Sequence, residues 1–296
     1  MQAQIEEYLR FVTVEKGYSP HTVTAYRNDL TQLMTYARSE GLVSWQDVDR
    51  AVIQRYVQYL RQRGYASSTV GRKVAAIKSY FHFLVADGVL QDDPTASVDS
   101  PQVEKHLPYP LSPEEVERLL AAVAGMDSPK GKRDRAILEL MYATGMRASE
   151  IIQLEIGAMD LEAGTVRCVG KGDKERILPV HARAREAIRT YLESGRPGLL
   201  QGRRGLALFV NHRGRPLTRQ GLWLIVKECA GAAGIDREVT PHTLRHSFAT
   251  HMLDGGAGLR ELQQLLGHTN ISSTQIYTKV STRRKREAYD KAHPRA

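Results

Sequence analysis

Around residues 93–111 the chain gives up hydrophobic periodicity altogether. The surrounding text, DDPTASVDSPQVEKHLPYPLSPEE, strings prolines and small polar residues together with no apolar spacing that a helix or strand could use. A chain of 296 residues interrupted in this way must build two cores, one on each side of the break.

Residues 1–92 read as helices alone. Val23, Tyr26, Leu30, Leu33 and Ala37 recur at helical spacing behind Ser19-Pro20, a cap-like start, and Gly41 stops the run. Val70, Val74, Ile77, Phe81 and Leu84 repeat the pattern as far as Gly88. Ile5, Leu9 and Val12, and then Ile53, Val57 and Leu60, give two shorter copies, so a four-helix bundle is expected. After the linker, Ser112-Pro113-Glu114-Glu115 supplies a capping box with proline at the first helical position, and the second domain is expected from there. It is expected to be mainly helical with a small antiparallel sheet: Thr165–Val169 and Arg176–Val180 flank the turn-rich GKGDKE, and Leu206–Val210 is a candidate third strand.

Charge narrows the partners. Forty-two Lys and Arg against 33 Asp and Glu leave a net charge of +9, which favours a polyanion. The first 100 residues are balanced at 11 of each sign, so the excess lies in the second part. Even so, the stretch from Arg50 to Ala86 carries Arg50, Arg55, Arg61, Arg63, Arg72, Lys73 and Lys78 with no acid, which would give the bundle a positive face. No apolar run approaches the ~20 residues of a membrane helix, and the first residues do not read as a secretory signal. Cys168 and Cys229 stand in neither a metal-ligand nor a redox spacing, as expected of reduced thiols in a cytoplasmic protein.

Several chemistries fail on spacing. Gly164 to Lys171 superficially suggests a phosphate loop, but Gly172 stands where Ser or Thr would hold magnesium. His242 and His246 are four apart, yet Thr243 replaces the glutamate of a zinc protease. Neither a metal nor a cofactor is expected. A protein of this kind acting on phosphate esters must neutralise charge with its own side chains.

Such side chains gather in short, glycine-punctuated segments: ATGMRASEI around Arg147, VGKGDKER around Lys171, TPHTLRHSFATHML around His242 and Arg245, and LGHTNISSTQIYTKV around His268 and Tyr277. His242 and Arg245, three apart, are expected to share a face of the first turn of a helix opened by Thr240-Pro241, where backbone N–H groups also favour an anion and both side chains could reach one phosphate. Arg147 sits just past a glycine stop, with Glu150 as an i+3 partner, and Lys171 sits at a hairpin tip.

In order and spacing these segments resemble those of the tyrosine recombinases, also called the phage-integrase family, and within it the Xer type. The resemblance spans the whole chain. It implies a helical core-binding domain over residues 1–92, a linker over 93–111, a catalytic domain over 112–277 and a basic tail over 278–296 that docks between subunits. The two domains are then expected to clamp duplex DNA, with Arg50, Arg55, Arg61, Arg63, Arg72, Lys73 and Lys78 on its phosphates. Carried over by position, Arg147 and Arg245 hold the scissile phosphate, His242 is the base, Lys171 the acid, His268 a phosphate hydrogen-bond donor and Tyr277 the nucleophile, with Glu150 in support. Arginine forks suit phosphate oxygens, and a phenol of pKa ~10 needs a base or a positive field to attack. The implied activity is cutting and rejoining DNA at a recombination site without metal or ATP. The implied setting is chromosome-dimer resolution at cell division, in a tetramer of one chain or with a second Xer-type recombinase, under a DNA translocase. A phage or mobile-element integrase and a catalytically silent DNA-binding regulator are the alternatives. The first helix is expected to begin almost at Met1, so the extra arm-binding domain of many integrases is not expected, which favours the Xer type. A mere binder needs neither Tyr277 nor Lys171.

Overall fold

A computed structural model describes residues 1–98, 109–170, 175–267 and 289–295. Lys171, His268 and Tyr277 lie outside the described residues, as does the tail up to residue 288. The chain divides into two compact units, Met1–His106 and Leu107–Ala296.

The first unit contains α1 (Gln2–Val14), α2 (Pro20–Ser39), α3 (Arg50–Gln62) and α4 (Ser67–Ala86). Ser19 caps α2 by accepting from the Thr22 N–H, and Asp49 caps α3 by accepting from the Val52 N–H at 2.8 Å. The apolar stripes meet in one core around Trp45, which is fully buried and stacks edge-on against Tyr80 and Phe81. Its indole N–H donates to the Met1 carbonyl at 3.1 Å and so ties the start of α1 to the bundle.

The second unit is built on α6 (Pro129–Thr144), whose residues from Ala136 to Thr144 are all buried. A helix enclosed on every side must be the centre of its domain. Packed against or near it are α5 (Pro113–Ala124), opened by the Ser112/Glu115 capping box, α7 (Ala148–Gln153), α8 (Ala182–Thr190), α9 (Arg196–Leu200), α10 (Arg219–Ala232), α11 (Pro241–Asp254) and α12 (Leu259–Leu266). The sheet is antiparallel in the order β1 (Met159–Asp160), β2 (Thr165–Val169), β3 (Glu175–Pro179).

The third strand is not the one expected. Leu206–Val210 makes isolated bridges, with Leu208 N–H donating to the Leu154 carbonyl at 2.8 Å, while Met159–Asp160 takes the sheet position. Leu208, Phe209 and Val210 are all buried, so the segment behaves as a core-filling crossing and lacks the alternation of a half-exposed strand. The ends of the expected linker are also structured: Val98 packs in the first core, and Leu111 is fully buried in the second with its N–H on Ser247 Oγ at 2.8 Å. Residues 289–295 pack on their own unit. Tyr289 is buried, and the His293 ring stacks on it and contacts Tyr142 and His181. Arg295 pairs with Glu139 at 3.2 Å and Glu117 at 3.3 Å.

Candidate active site

The turn leaving α6 sets the first site residue. Gly145 ends the helix at φ +60°, a left-handed cap, and a side chain there would run into the Phe248 ring. Two residues later Arg147 is the N-cap residue of α7, and its backbone N–H donates to Glu150 Oε2 at 2.7 Å. The i+3 pair is closed by Arg147 Nη1 on Glu150 Oε1 at 3.0 Å. The Arg147 side chain stays 39 % exposed, while that of Glu150 is 4 % exposed.

Arg245 comes from α11 and is buried. Its guanidinium donates to the Gly145 carbonyl at 2.6 Å and to the Leu266 carbonyl at 2.7 Å. Burial first, then the nearby Arg147 charge, pushes it down to about 10, with Glu150 pulling the other way. It is still a cation at neutral pH. His242, three positions earlier, is exposed, so the first turn of α11 presents the imidazole outward and the guanidinium inward.

One residue of the site escaped the sequence reading. Arg176, on β3, forks onto Glu150 with Nη1 to Oε1 at 2.9 Å and Nη2 to Oε2 at 2.8 Å, and its Nε donates to the Leu265 carbonyl at 3.0 Å. Burial works against the ionised Glu150 carboxyl, but the Arg176 fork and the Arg147 N–H outweigh it and hold the group below the usual carboxylate range. The hint was present in GKGDKER, where this arginine is the second residue of β3, but its acid partner lies far back in the sequence. Among the described residues no group of three or more His, Cys, Asp and Glu could hold a metal ion.

In the first unit the basic residues part company. Arg50, Arg55, Arg61 and Arg63 are exposed, and Lys78 is half-buried. Arg55 lies near Glu40 at 3.4 Å, and Arg63 covers the Tyr59 ring. Lys73 departs from the expectation of a DNA contact: its ammonium is buried, on Asp29 Oδ1 at 2.8 Å and Gln32 Oε1 at 2.6 Å. Its helix position turns it into the bundle, where an unpaired charge would be costly. Arg72 is also on Asp29, from the exposed side.

The matches agree with this layout. Residues 110–284 fit the phage integrase family, and residues 5–88 fit the phage integrase N-terminal SAM-like domain. The chain belongs to the phage integrase family. Over 295 residues it is 45 % identical to the tyrosine recombinase XerC of Herpetosiphon aurantiacus, covering 100 % of this chain and 96 % of that protein. Over 293 residues it is 46 % identical to the tyrosine recombinase XerD of Halalkalibacterium halodurans, covering 99 % and 98 %. Among solved structures it is similar to the XerH site-specific recombinase bound to difH substrate in a pre-cleavage complex, with TM-score 0.67, 26 % identity and coverage of 97 % and 84 %. This phage integrase family member is a tyrosine recombinase of the Xer kind, an enzyme that breaks and rejoins DNA. No helix of its described residues is long and apolar enough to cross a membrane.

Proposed function

We propose that the chain is a site-specific recombinase that exchanges strands between two duplex recombination sites through a 3′-phosphotyrosyl intermediate, and that it resolves chromosome dimers in the cytoplasm before cell division. The observation that carries this reading is the convergence of Arg147 and Arg245 on neighbouring carbonyls, Gly267 and Leu266, directly ahead of His268 in the chain. Two guanidiniums fixed side by side are what a five-coordinate phosphorane requires, because its non-bridging oxygens carry more charge than the ground state does.

On this reading the Tyr277 oxygen attacks the scissile phosphorus as His242 takes the phenolic proton. The phosphorus–5′-oxygen bond breaks, and Lys171 gives the leaving oxygen its proton. A phosphodiester is exchanged for a phosphotyrosyl ester of similar energy, so a 5′-hydroxyl from the other duplex reverses the step without an external energy source. The exposed Arg50, Arg55, Arg61 and Arg63 contribute phosphate contacts and a salt-dependent affinity. Two exchanges on two duplexes need four sites, hence a tetramer of this chain or of this chain with a second recombinase, and a DNA translocase is the expected activator. The experiment is covalent trapping on a nicked suicide duplex carrying the recombination site. Wild type is expected to form a denaturation-resistant DNA adduct and Tyr277→Phe none; wild type that binds the site yet leaves it uncut would overturn the reading.

A further inference from the structure

Three consecutive carbonyls at the end of α12 each accept from a different arginine: Leu265 from Arg176 at 3.0 Å, Leu266 from Arg245 at 2.7 Å and Gly267 from Arg147 at 3.1 Å. The last carbonyls of a helix have no intrahelical donor and sit at its negative pole, so they suit cations. Two of the three guanidiniums belong to the proposed phosphate pair. The third, Arg176, is nearly enclosed: its side chain is 9 % exposed, and its Nε, Nη1 and Nη2 are all engaged by Leu265 and Glu150.

Those two partners are also the supports of Arg147. Glu150 holds the Arg147 backbone and side chain, and the α12 end holds its other nitrogen. Arg176 ties the two supports to each other. Gly267 makes room for this: it adopts φ +65°, and a Cβ there would lie 3.0 Å from Arg176 Nη1 and 3.1 Å from Cζ. Without the fork, both Glu150 oxygens would be left drawing on Arg147 alone among the described guanidiniums, which would pull it toward the carboxylate.

We propose that Arg176 is a positioning residue for strand cleavage: it clamps Glu150 to the Leu265–Gly267 turn and thereby keeps the Arg147 guanidinium aimed at the scissile phosphate. Lysine cannot replace it, because a point charge cannot serve two carboxylate oxygens and a carbonyl in one plane. The proposal rests on the recombinase reading, and its test separates the two. Adduct formation is measured for wild type, Arg176→Gln and Arg176→Lys on two suicide duplexes, one with a normal scissile phosphodiester and one with an uncharged methylphosphonate there. If wild type cleaves neither, the recombinase reading falls. If it cleaves, both variants are expected to slow by about 10- to 100-fold on the phosphodiester, as a catalytic group misplaced by about 1 Å would. The loss should shrink several-fold on the methylphosphonate, whose missing negative charge makes less demand on Arg147, while site affinity stays within about twofold. Equal losses on both linkages, or wild-type rates on the phosphodiester for either variant, would overturn the positioning role.

Discussion

Each unit of the molecule holds a carboxylate buried between two cations. Asp29 in the first is 1 % exposed and meets Lys73 and Arg72; Glu150 in the second is 4 % exposed and meets Arg176 and Arg147. The two clusters differ in what else the cations touch. Lys73 ends on Gln32, another side chain of the bundle, and its cluster joins α2 to α4. The arginines around Glu150 go on to backbone carbonyls at the end of α12, and one of them keeps a partly open face. A buried acid thus acts in one unit as a staple between helices and in the other as a platform for the cation proposed to meet the scissile phosphate. Lysine suffices for the first task, whereas the second needs the planar fork of arginine.

The largest effect should come from breaking the staple. Asp29→Ala leaves the Lys73 ammonium buried with Gln32 as its side-chain partner, and the loss of one partner of a buried pair typically costs about 3–5 kcal/mol. Denaturant unfolding of the full chain should show the first unit melting early and the second unchanged. A stability within error of wild type would mean that the cluster is no staple.

Arg147→Ala probes the platform with the opposite signature. The side chain is 39 % exposed and Glu150 keeps the Arg176 fork, so unfolding should move by less than about 1 kcal/mol. Adduct formation should fall on the order of 10²-fold or more, the scale of losing one donor to a developing anion. A stability loss as large as that of Asp29→Ala would erase the distinction between the two clusters.

How much of this was legible in the sequence depended on how local each feature is. The four bundle helices, the Ser19 and Ser112 caps and the Arg147/Glu150 pair are signalled within one or two turns of chain, and 3.6-residue spacing or an i+3 relation exposes them. Arg176 and Lys73 were opaque for one shared reason: each stands in a charge-rich stretch that reads as surface, mixed in sign around Arg176 and basic around Lys73, and each finds its acid only through the tertiary fold. The carbonyls of Leu265, Leu266 and Gly267 are backbone, which residue identity does not encode at all. Leu206–Val210 misled because a short apolar run looks the same whether it pairs in a sheet or crosses a core.

The smallest effect should separate the basic residues that read alike in the sequence. Arg72 is 46 % exposed and committed to Asp29, whereas Arg61 is exposed with no carboxylate partner among the described residues. Arg72→Gln leaves Asp29 with Lys73, so stability should drop by less than about 1 kcal/mol. Its guanidinium is held on Asp29, which it shares with Lys73, and so is not free to take a phosphate; its removal should release few counterions, and the slope of log affinity against log salt should hardly change. Arg61→Gln should leave stability untouched and lower the magnitude of that slope by about one, the signature of one lost phosphate contact. Fluorescence anisotropy of a labelled recombination site across a salt series reads both slopes. If the two variants lowered the slope equally, Arg72 would leave Asp29 when DNA binds, and the first unit would be trading part of its staple for a phosphate contact as it closes on its ligand.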